Sequence, residues 1–207
     1  MAVNTIEFAP PPASVAAIPH DYVARLSVEQ YHEMIQVGIL QSGDPIELLE
    51  GWLVYKMTKK PPHETANGKL LDALVPLVPK GWILRIQAPI TLSDSEPEPD
   101  AAVARGTRQD YEDHHPKARD LAFVVEVSDS TFLRDREVKQ RIYARAGIPH
   151  YWIVNLIEAQ VEIYSEPISE EGLAQYARHQ VYQDTDLIPV VVDKQIVGTI
   201  TAFDLLP

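Results

Sequence analysis

The spacing of hydrophobic residues along the chain predicts two helices in its first half. Between Ser27 and Gly38, and again from His63 to about Val78, apolar positions recur every three or four residues, which is the spacing of one helix face. Ser27 is a residue type preferred at a helix N-cap, and Gly38 is the type preferred just after a helix ends. We therefore predict a short helix that ends at Gly38 and a longer helix that ends near Pro79.

Shorter hydrophobic runs bounded by turn residues predict strands. Residues 46–55 form two such runs around Glu50-Gly51, which predicts a β-hairpin. The segment 105–120 is polar and has no period, so we predict a loop there. The other predicted strands occupy residues 82–92, 101–104, 121–128, 151–156 and 160–165, with further short strands between 176 and 197.

Residues 121–156 predict a βαβ unit. The strand at 121–128 is followed by a helix from about Thr131 to Ala146, which Gly147 and Pro149 end, and then by the strand at 151–156. Two strands joined by a helix are normally parallel and lie in a buried sheet. The unit therefore predicts a parallel strand pair in the core.

A carboxylate interrupts the first strand of this unit. Glu126 stands in the otherwise apolar run 121–127, and burying an ionised carboxylate costs several kcal/mol unless it is paired, hydrogen-bonded or bound to a metal. Asp100 precedes another apolar stretch, and Asp135 and Lys139 lie four residues apart on the predicted helix. Two acids at strand positions, followed by a lysine, indicate a site for a hard cation and a phosphate.

The sequence allows two environments for the side chain of Lys139. Asp135, Lys139 and Tyr143 form a row that borders the apolar stripe of the helix, so Lys139 can lean toward the sheet. Alternatively, Asp135 and Lys139 form an ion pair on a solvated helix face, which would contribute only about 0.3 to 0.5 kcal/mol.

Composition narrows the class of protein. With 207 residues and 45% hydrophobic content, residues 21–207 can form a single domain around one core. Residues 1–20 contain three consecutive prolines and lack the basic and apolar regions of a signal peptide, so we expect a flexible arm. The absence of cysteine excludes thiolate zinc sites and cysteine nucleophiles. No apolar run approaches the roughly 20 residues of a membrane-spanning helix, and we expect a cytoplasmic protein without membrane contact.

Charge is distributed unevenly along the chain. The net charge of −12 argues against a protein that binds nucleic acid over its whole surface, because phosphate contacts depend on local Lys and Arg. Residues 134–145, however, carry five basic and two acidic residues, a local net charge of +3. The acidic stretch 94–100 is either a solvated loop or a cation site.

Taken in order, these residues resemble the PD-(D/E)XK nuclease superfamily and, more closely, its Uma-two family of restriction-endonuclease-like proteins. The resemblance covers residues 26–164 and, more loosely, the remainder of the chain. A single Pro-Asp dipeptide would carry little weight, whereas an ordered series of motifs is specific. The motifs are Ile46-Glu47-Leu48-Leu49-Glu50-Gly51, His63 after a proline pair, Glu96-Pro97-Glu98-Pro99-Asp100, Val125-Glu126-Val127-Ser128, Ser130-Thr131, Asp135 with Lys139 and Tyr143, and Gly147-Ile148-Pro149-His150-Tyr151-Trp152.

The resemblance implies an α/β (α+β) fold with a restriction-endonuclease-like core, in which helices flank a mixed central sheet with extra antiparallel strands. It also implies that Asp100 and Glu126 are catalytic residues that hold Mg²⁺ or Mn²⁺ for the hydrolysis of DNA phosphodiester bonds. The superfamily usually has a lysine two residues after the glutamate, where this chain has Ser128. In the Uma-two pattern the catalytic lysine lies on the following helix, and Lys139 matches that position.

Four further residues are candidates, three of them with a structural alternative. Glu47 matches the family's N-terminal acid and would be a catalytic metal ligand or acceptor, or else an exposed charge on a hairpin. His63 would contact a phosphate or orient a ligand, or else cap a helix. Gln87 would bind substrate or form a buried hydrogen bond. Ser128 would contribute to substrate binding.

Three functions fit the sequence. The leading one is cleavage of DNA at a Mg²⁺ or Mn²⁺ site, with a homodimer expected because two symmetry-related sites can cut both strands of a duplex. The second is a non-catalytic nucleic-acid-binding or regulatory module, which the acidic composition and the missing strand lysine favour. The third is a metal-dependent hydrolase of a small phosphorylated substrate. Analogy at the level of the fold does not choose among them.

Overall fold

The structure of the protein is a computed structural model that describes residues 23–41, 43–170 and 172–207. The predicted N-terminal arm, residues 1–20, lies outside the described residues. The described part contains three α-helices, namely α1 (Val28–Gln36), α2 (Pro61–Leu74) and α3 (Gln140–Arg145), and a π-helical segment (Arg134–Lys139) that runs into α3. Its ten strands are β1 (Ile46–Leu49), β2 (Trp52–Tyr55), β3 (Trp82–Ile86), β4 (Ala101–Arg105), β5 (Leu121–Ser128), β6 (His150–Asn155), β7 (Gln160–Glu170), β8 (Leu173–Gln183), β9 (Leu187–Val192) and β10 (Gln195–Thr201).

Six strands form the central sheet, in the order β3-β4-β5-β6-β7-β8. Strands β5 and β6 are parallel, and the other neighbours in this sheet are antiparallel. The connection from β5 to β6 contains the π-helical segment and α3, so the predicted βαβ unit is confirmed. The pairs β1–β2 and β9–β10 form two separate antiparallel hairpins. The predicted mixed sheet with flanking helices and extra antiparallel strands is also confirmed.

Both faces of the central sheet are covered, and β5 is buried along its whole length. On one face, α2 and the β9–β10 hairpin share a hydrophobic core with Val125 and Trp152. On the other face, α3 shares a core with Val124 and Tyr151. Because successive side chains of a strand point to opposite faces, Glu126 lies on the face of Val124, toward α3.

Several element boundaries differ from those predicted, and β7 and β8 are longer than the short strands expected there. Helix α2 begins at Pro61 rather than after the proline pair, because residues in the first turn of a helix need no N–H group for helical bonding. Strand β3 ends at Ile86 and does not reach residue 92, because Gln87 has a left-handed backbone with φ of 47°. The helix predicted from about Thr131 is helical from Phe132 and continues through the π-helical segment into α3.

The turn of the β1–β2 hairpin gives a stability prediction. Gly51 has φ of 79°, and a Cβ atom there would lie 2.6 Å from Arg25 Cβ and 2.9 Å from Leu26 O. Gly38 has nearly the same φ, 77°, but a Cβ atom added there would have no neighbouring atom within 4 Å. Both alanine variants carry the left-handed strain of about 1 to 2 kcal/mol, but only Gly51→Ala adds a clash.

We therefore expect Gly51→Ala to lower the free energy of unfolding by at least about 1 kcal/mol more than Gly38→Ala does. Urea titrations followed by circular dichroism measure both values. If the free energy of unfolding falls equally in the two variants, the close approach of Arg25 and Leu26 to Gly51 has no effect on stability.

Candidate active site

Four buried carboxylates line one cleft, and besides Asp135 of the helical segment three of them come from separate segments. Glu47 lies on β1, Asp100 immediately precedes β4, and Glu126 lies on β5. Ala101 pairs with Val125 in the antiparallel register, so one further step places Asp100 opposite Glu126. The cleft encloses about 60 Å³, which is room for a few water-sized groups. The three side chains are 2% to 6% exposed, so the cleft is their access to solvent.

Asp100 is held by donors on both of its carboxylate oxygens. Oδ2 accepts from the backbone N–H of Val127 at 2.9 Å and lies 3.3 Å from His63 Nε2, while Oδ1 accepts from Asn67 Nδ2 at 3.2 Å. Burial opposes ionisation, but the hydrogen bond and charge of His63 and the Val127 amide outweigh it and hold the pKa of Asp100 below its ordinary value. Asp100 is therefore a fixed, ionised ligand candidate.

Glu126 contacts two side chains from the helical segment behind β5. Its Oε1 accepts from Lys139 Nζ at 2.9 Å and from the Tyr143 hydroxyl at 2.7 Å. Burial raises the pKa of Glu126 to about 8, although the charge of Lys139 works in the opposite direction. Glu126 therefore holds a proton more readily than an ordinary glutamate, and a cation that binds there competes with that proton.

Lys139 lies between two of the carboxylates. Its Nζ is 2.9 Å from Glu126 Oε1 and 3.4 Å from Glu47 Oε2. Burial disfavours its charge, but the charges of Glu126 and Glu47 outweigh burial and raise the pKa of Lys139 above its ordinary value. Lys139 is therefore a permanent cation at this site. The alternative of an ion pair with Asp135 on a solvated helix face is wrong, because both side chains are buried.

The Asp135 side chain is directed at the end of β5. Its Oδ2 accepts from Ser128 Oγ and Thr131 Oγ1, each at 2.6 Å. Burial raises the pKa of Asp135 above its ordinary value, against the charge of Lys139 and these two hydrogen bonds. Ser128 is fully buried, so the residue at the usual lysine position supports Asp135 and does not line the cleft.

The structure brings together five of the residues predicted from the sequence, and two lie elsewhere. Gln87 is not part of the cleft lining, and its contact with the site is made by its backbone N–H, which donates to Asp100 O at 3.0 Å. Ser128 contacts Asp135 instead of solvent. The five that line the cleft are Glu47, His63, Asp100, Glu126 and Lys139.

Sequence reasoning missed Asn67, which connects two site residues. Its Nδ2 lies 3.2 Å from His63 Nδ1 and 3.2 Å from Asp100 Oδ1. Since Asn67 Nδ2 is a donor, a neutral His63 would accept this bond at Nδ1 and carry its proton on Nε2, facing Asp100. Asn67 lies four residues after His63, one turn along α2. That i,i+4 spacing is the signal that could have identified it.

The cleft also fits a divalent cation. Its floor offers carboxylate oxygens, the donors that Mg²⁺ prefers. Glu47 Oε1 is buried and has no hydrogen-bond partner among the described residues, an arrangement that is unfavourable unless a cation or water meets the atom. Among the described residues, no group of three His, Asp or Glu side chains is arranged to hold a metal ion. Mg²⁺ is often held by one or two carboxylates and completed by water and substrate phosphate, so the donor set fits.

The mixed sheet, the acidic cleft and the buried lysine are the features that the resemblance to a restriction-endonuclease-like protein leads us to expect. The chain belongs to the Uma2 (Uma-two) family, whose model, described as "Putative restriction endonuclease", matches residues 28–196. The family membership expected from the motifs is thereby confirmed. Family and fold together indicate a nuclease.

Comparison with solved structures supports the fold. The chain is similar to a crystal structure of "a putative nuclease belonging to DUF820 from Anabaena variabilis ATCC 29413", with 16% sequence identity and a TM-score of 0.65 over 87% of this chain and 97% of that chain. No curated protein matches the sequence. In the described ranges, no helix has the length and hydrophobicity to cross a membrane.

Proposed function

We propose that the protein is a metal-dependent endonuclease that hydrolyses DNA phosphodiester bonds. The observation that carries the proposal is that Glu47, Asp100 and Glu126 line one cleft together with Lys139, whose ammonium group contacts Glu47 and Glu126. The carboxylates outnumber this cation, which leaves an excess of negative charge that a divalent ion would balance. Membership of a family described as restriction endonucleases also supports the proposal.

Asp100 and Glu126 would hold Mg²⁺ or Mn²⁺, with Glu47 Oε1 as a further donor. Such an ion supplies, when bound, polarisation of the scissile phosphate and activation of a water molecule. Asp100 is suited to this task because it stays ionised and its three hydrogen bonds fix the carboxylate. Val127 contributes the backbone N–H that orients Asp100.

Lys139 would act as a charge-stabilising donor and not as a general base. Its raised pKa keeps the ammonium group protonated, so it cannot accept a proton from water. Two contacts to Glu126 and Glu47 fix the Nζ atom, and Lys139 lines the cleft. From there it can stabilise negative charge that develops on the transferring phosphate group.

The experiment that tests this function is a nuclease assay with supercoiled plasmid and with circular single-stranded DNA. We expect Mg²⁺ or Mn²⁺ to be required for nicking of at least one substrate, and EDTA or Asp100→Asn to abolish it. Absence of cleavage with either metal would reject the nuclease and favour a non-catalytic module. Cleavage that Asp100→Asn leaves unchanged would reject the assigned site.

His63 gives a prediction that concerns metal affinity. If His63 serves as an N–H donor to Asp100, glutamine can take over that role, and the dissociation constant for Mn²⁺ should stay within about threefold in His63→Gln. His63→Leu removes the donor and should weaken Mn²⁺ binding about 10-fold or more, as is usual for residues that orient metal ligands. Isothermal titration calorimetry measures the constants. His179→Leu is the matched control, because His179 pairs with Glu162 and not with a cleft residue. Equal loss in the glutamine and leucine variants would contradict the donor role.

A further inference from the structure

The cleft has a basic mouth formed by two segments. We define the mouth as residues 56–60, between β2 and α2, together with residues 129–134 after β5, all of which border the cleft or adjoin its lining. Lys56 pairs with Glu98 at 2.8 Å and Lys60 pairs with Asp129 at 2.9 Å. Lys59 and Arg134 add two further cations. The mouth therefore attracts anions, although the chain as a whole is acidic.

Large apolar side chains are interspersed with these cations. Met57 is 52% exposed and Leu133 is 69% exposed. The two sides of the mouth are joined where Arg134 Nη1 donates to Tyr55 O at 2.7 Å. An exposed apolar side chain beside a cation can pack against a base whose phosphate the cation contacts.

The narrow cleft and the modest charge of the mouth favour single-stranded DNA over a duplex. In a duplex the base faces are stacked inside, so Met57 and Leu133 would meet only sugar and phosphate. A single strand can present unstacked bases to such side chains and can bend a phosphate toward a recessed floor. A single strand also has a lower charge density than a duplex, which suits a mouth in which Lys56 and Lys60 already contact acids.

We propose, on the basis of the proposed function, that the substrate is single-stranded DNA. Its phosphates lie along Lys59 and the neighbouring mouth cations, and its bases pack against Met57 and Leu133. The scissile phosphate reaches the carboxylates and Lys139 on the cleft floor.

A cleavage assay separates this substrate from duplex DNA. A fluorescently labelled oligonucleotide is incubated with the full chain and Mg²⁺, either alone or annealed to its complement, and the products are resolved on a denaturing gel. The single strand should be cut at least about tenfold faster, the effect of losing one or two base contacts. A duplex that is cut as fast or faster would overturn the inference and leave the proposed function intact.

Binding provides a second measurement that does not depend on catalysis. Fluorescence anisotropy in EDTA should show tighter binding of the single strand than of the duplex, with a salt slope of about −2 to −3, equivalent to three or four phosphate contacts. Lys59→Gln should reduce the magnitude of that slope by about 0.7. Met57→Ser should weaken single-strand binding at least about fivefold, the range expected for one base contact.

The control variants lie outside the mouth. Lys80→Gln removes a charge from the turn between α2 and β3, and Leu187→Ser removes an exposed apolar side chain at the start of β9. Neither change should alter binding. If Lys59→Gln and Met57→Ser behave like these controls, or if the duplex binds more tightly, the inference is overturned. If neither oligonucleotide is cut, the proposed function fails, and the binding data still decide the preference for a single strand.

Discussion

Replacing Glu126 with glutamine is expected to lower the rate of DNA cleavage by at least about 10² to 10³-fold, the range seen when one stabilising group is removed from an active site. Glutamine has nearly the same shape, and its carbonyl oxygen can accept from Tyr143 and Lys139 as the carboxylate does. It lacks the negative charge that a divalent cation requires. The variant should therefore stay folded, with a thermal midpoint that no longer rises when Mn²⁺ is added.

The matched control for Glu126→Gln is Glu162→Gln. Glu126 pairs with Ile153 across the sheet, and Ile153 pairs with Glu162, so the two glutamates lie in one row. Both are buried and both accept from a tyrosine hydroxyl, Glu162 from Tyr164 at 2.6 Å. Glu162 does not line the cleft. Glu162→Gln should keep the wild-type rate, and an equal loss in both variants would attribute the effect to packing of the sheet.

Replacing Lys139 with methionine is expected to lower the free energy of unfolding by about 3 to 5 kcal/mol, the usual effect of breaking a buried ion pair. Glu126 and Glu47 would lose the buried cation that both contact. Cleavage should also fall, because the charge that stabilises the phosphate is removed. Urea unfolding of the metal-free protein in EDTA measures the stability.

The stability lost in Lys139→Met should grow as pH rises above about 8. Burial raises the folded-state pKa of Glu126 from 4.5 to about 8, so between these values the folded state binds the extra proton and stability falls with rising pH. Lys139 opposes that increase in pKa. Without Lys139 the folded-state pKa is higher, and the fall in stability continues beyond pH 8.

Lys56→Met is the control for this stability measurement. Lys56 also contacts a carboxylate, Glu98, at 2.8 Å, but both side chains are partly exposed. Ion pairs of this kind contribute about 0 to 1 kcal/mol. If Lys139→Met is no less stable than Lys56→Met, Lys139 does not hold the carboxylates together.

Most strands and helices of this fold could be predicted, because the spacing of apolar residues is a local property. The run around Glu126 predicted a buried strand, and the following helix and strand predicted a parallel pair. The predicted boundaries of an element are wrong where the backbone conformation of one residue, or contact with another segment, determines where the element ends. Strand β3 ends early because Gln87 is left-handed, a conformation that hydrophobic spacing does not indicate.

The candidate site was predictable only in part. A carboxylate in an apolar strand is anomalous in any context, so Glu126 could be identified from its neighbours alone. The importance of Asn67 depends on contacts with His63 and with Asp100, which lies 33 residues away along the chain. The different role of Ser128 depends on Asp135, which turns toward the end of β5 from the next helical segment.

By itself, the sequence determined the order of the elements, the central βαβ unit and the presence of acids at strand positions, because these follow from the residue types of short segments. Only the tertiary structure decided which acids meet. Sheet register places Asp100 opposite Glu126, the β1–β2 hairpin brings Glu47 to the same cleft, and burial of the π-helical segment places Lys139 between two carboxylates. These contacts join segments far apart in the chain, so they exist only when the two faces of the central sheet are packed.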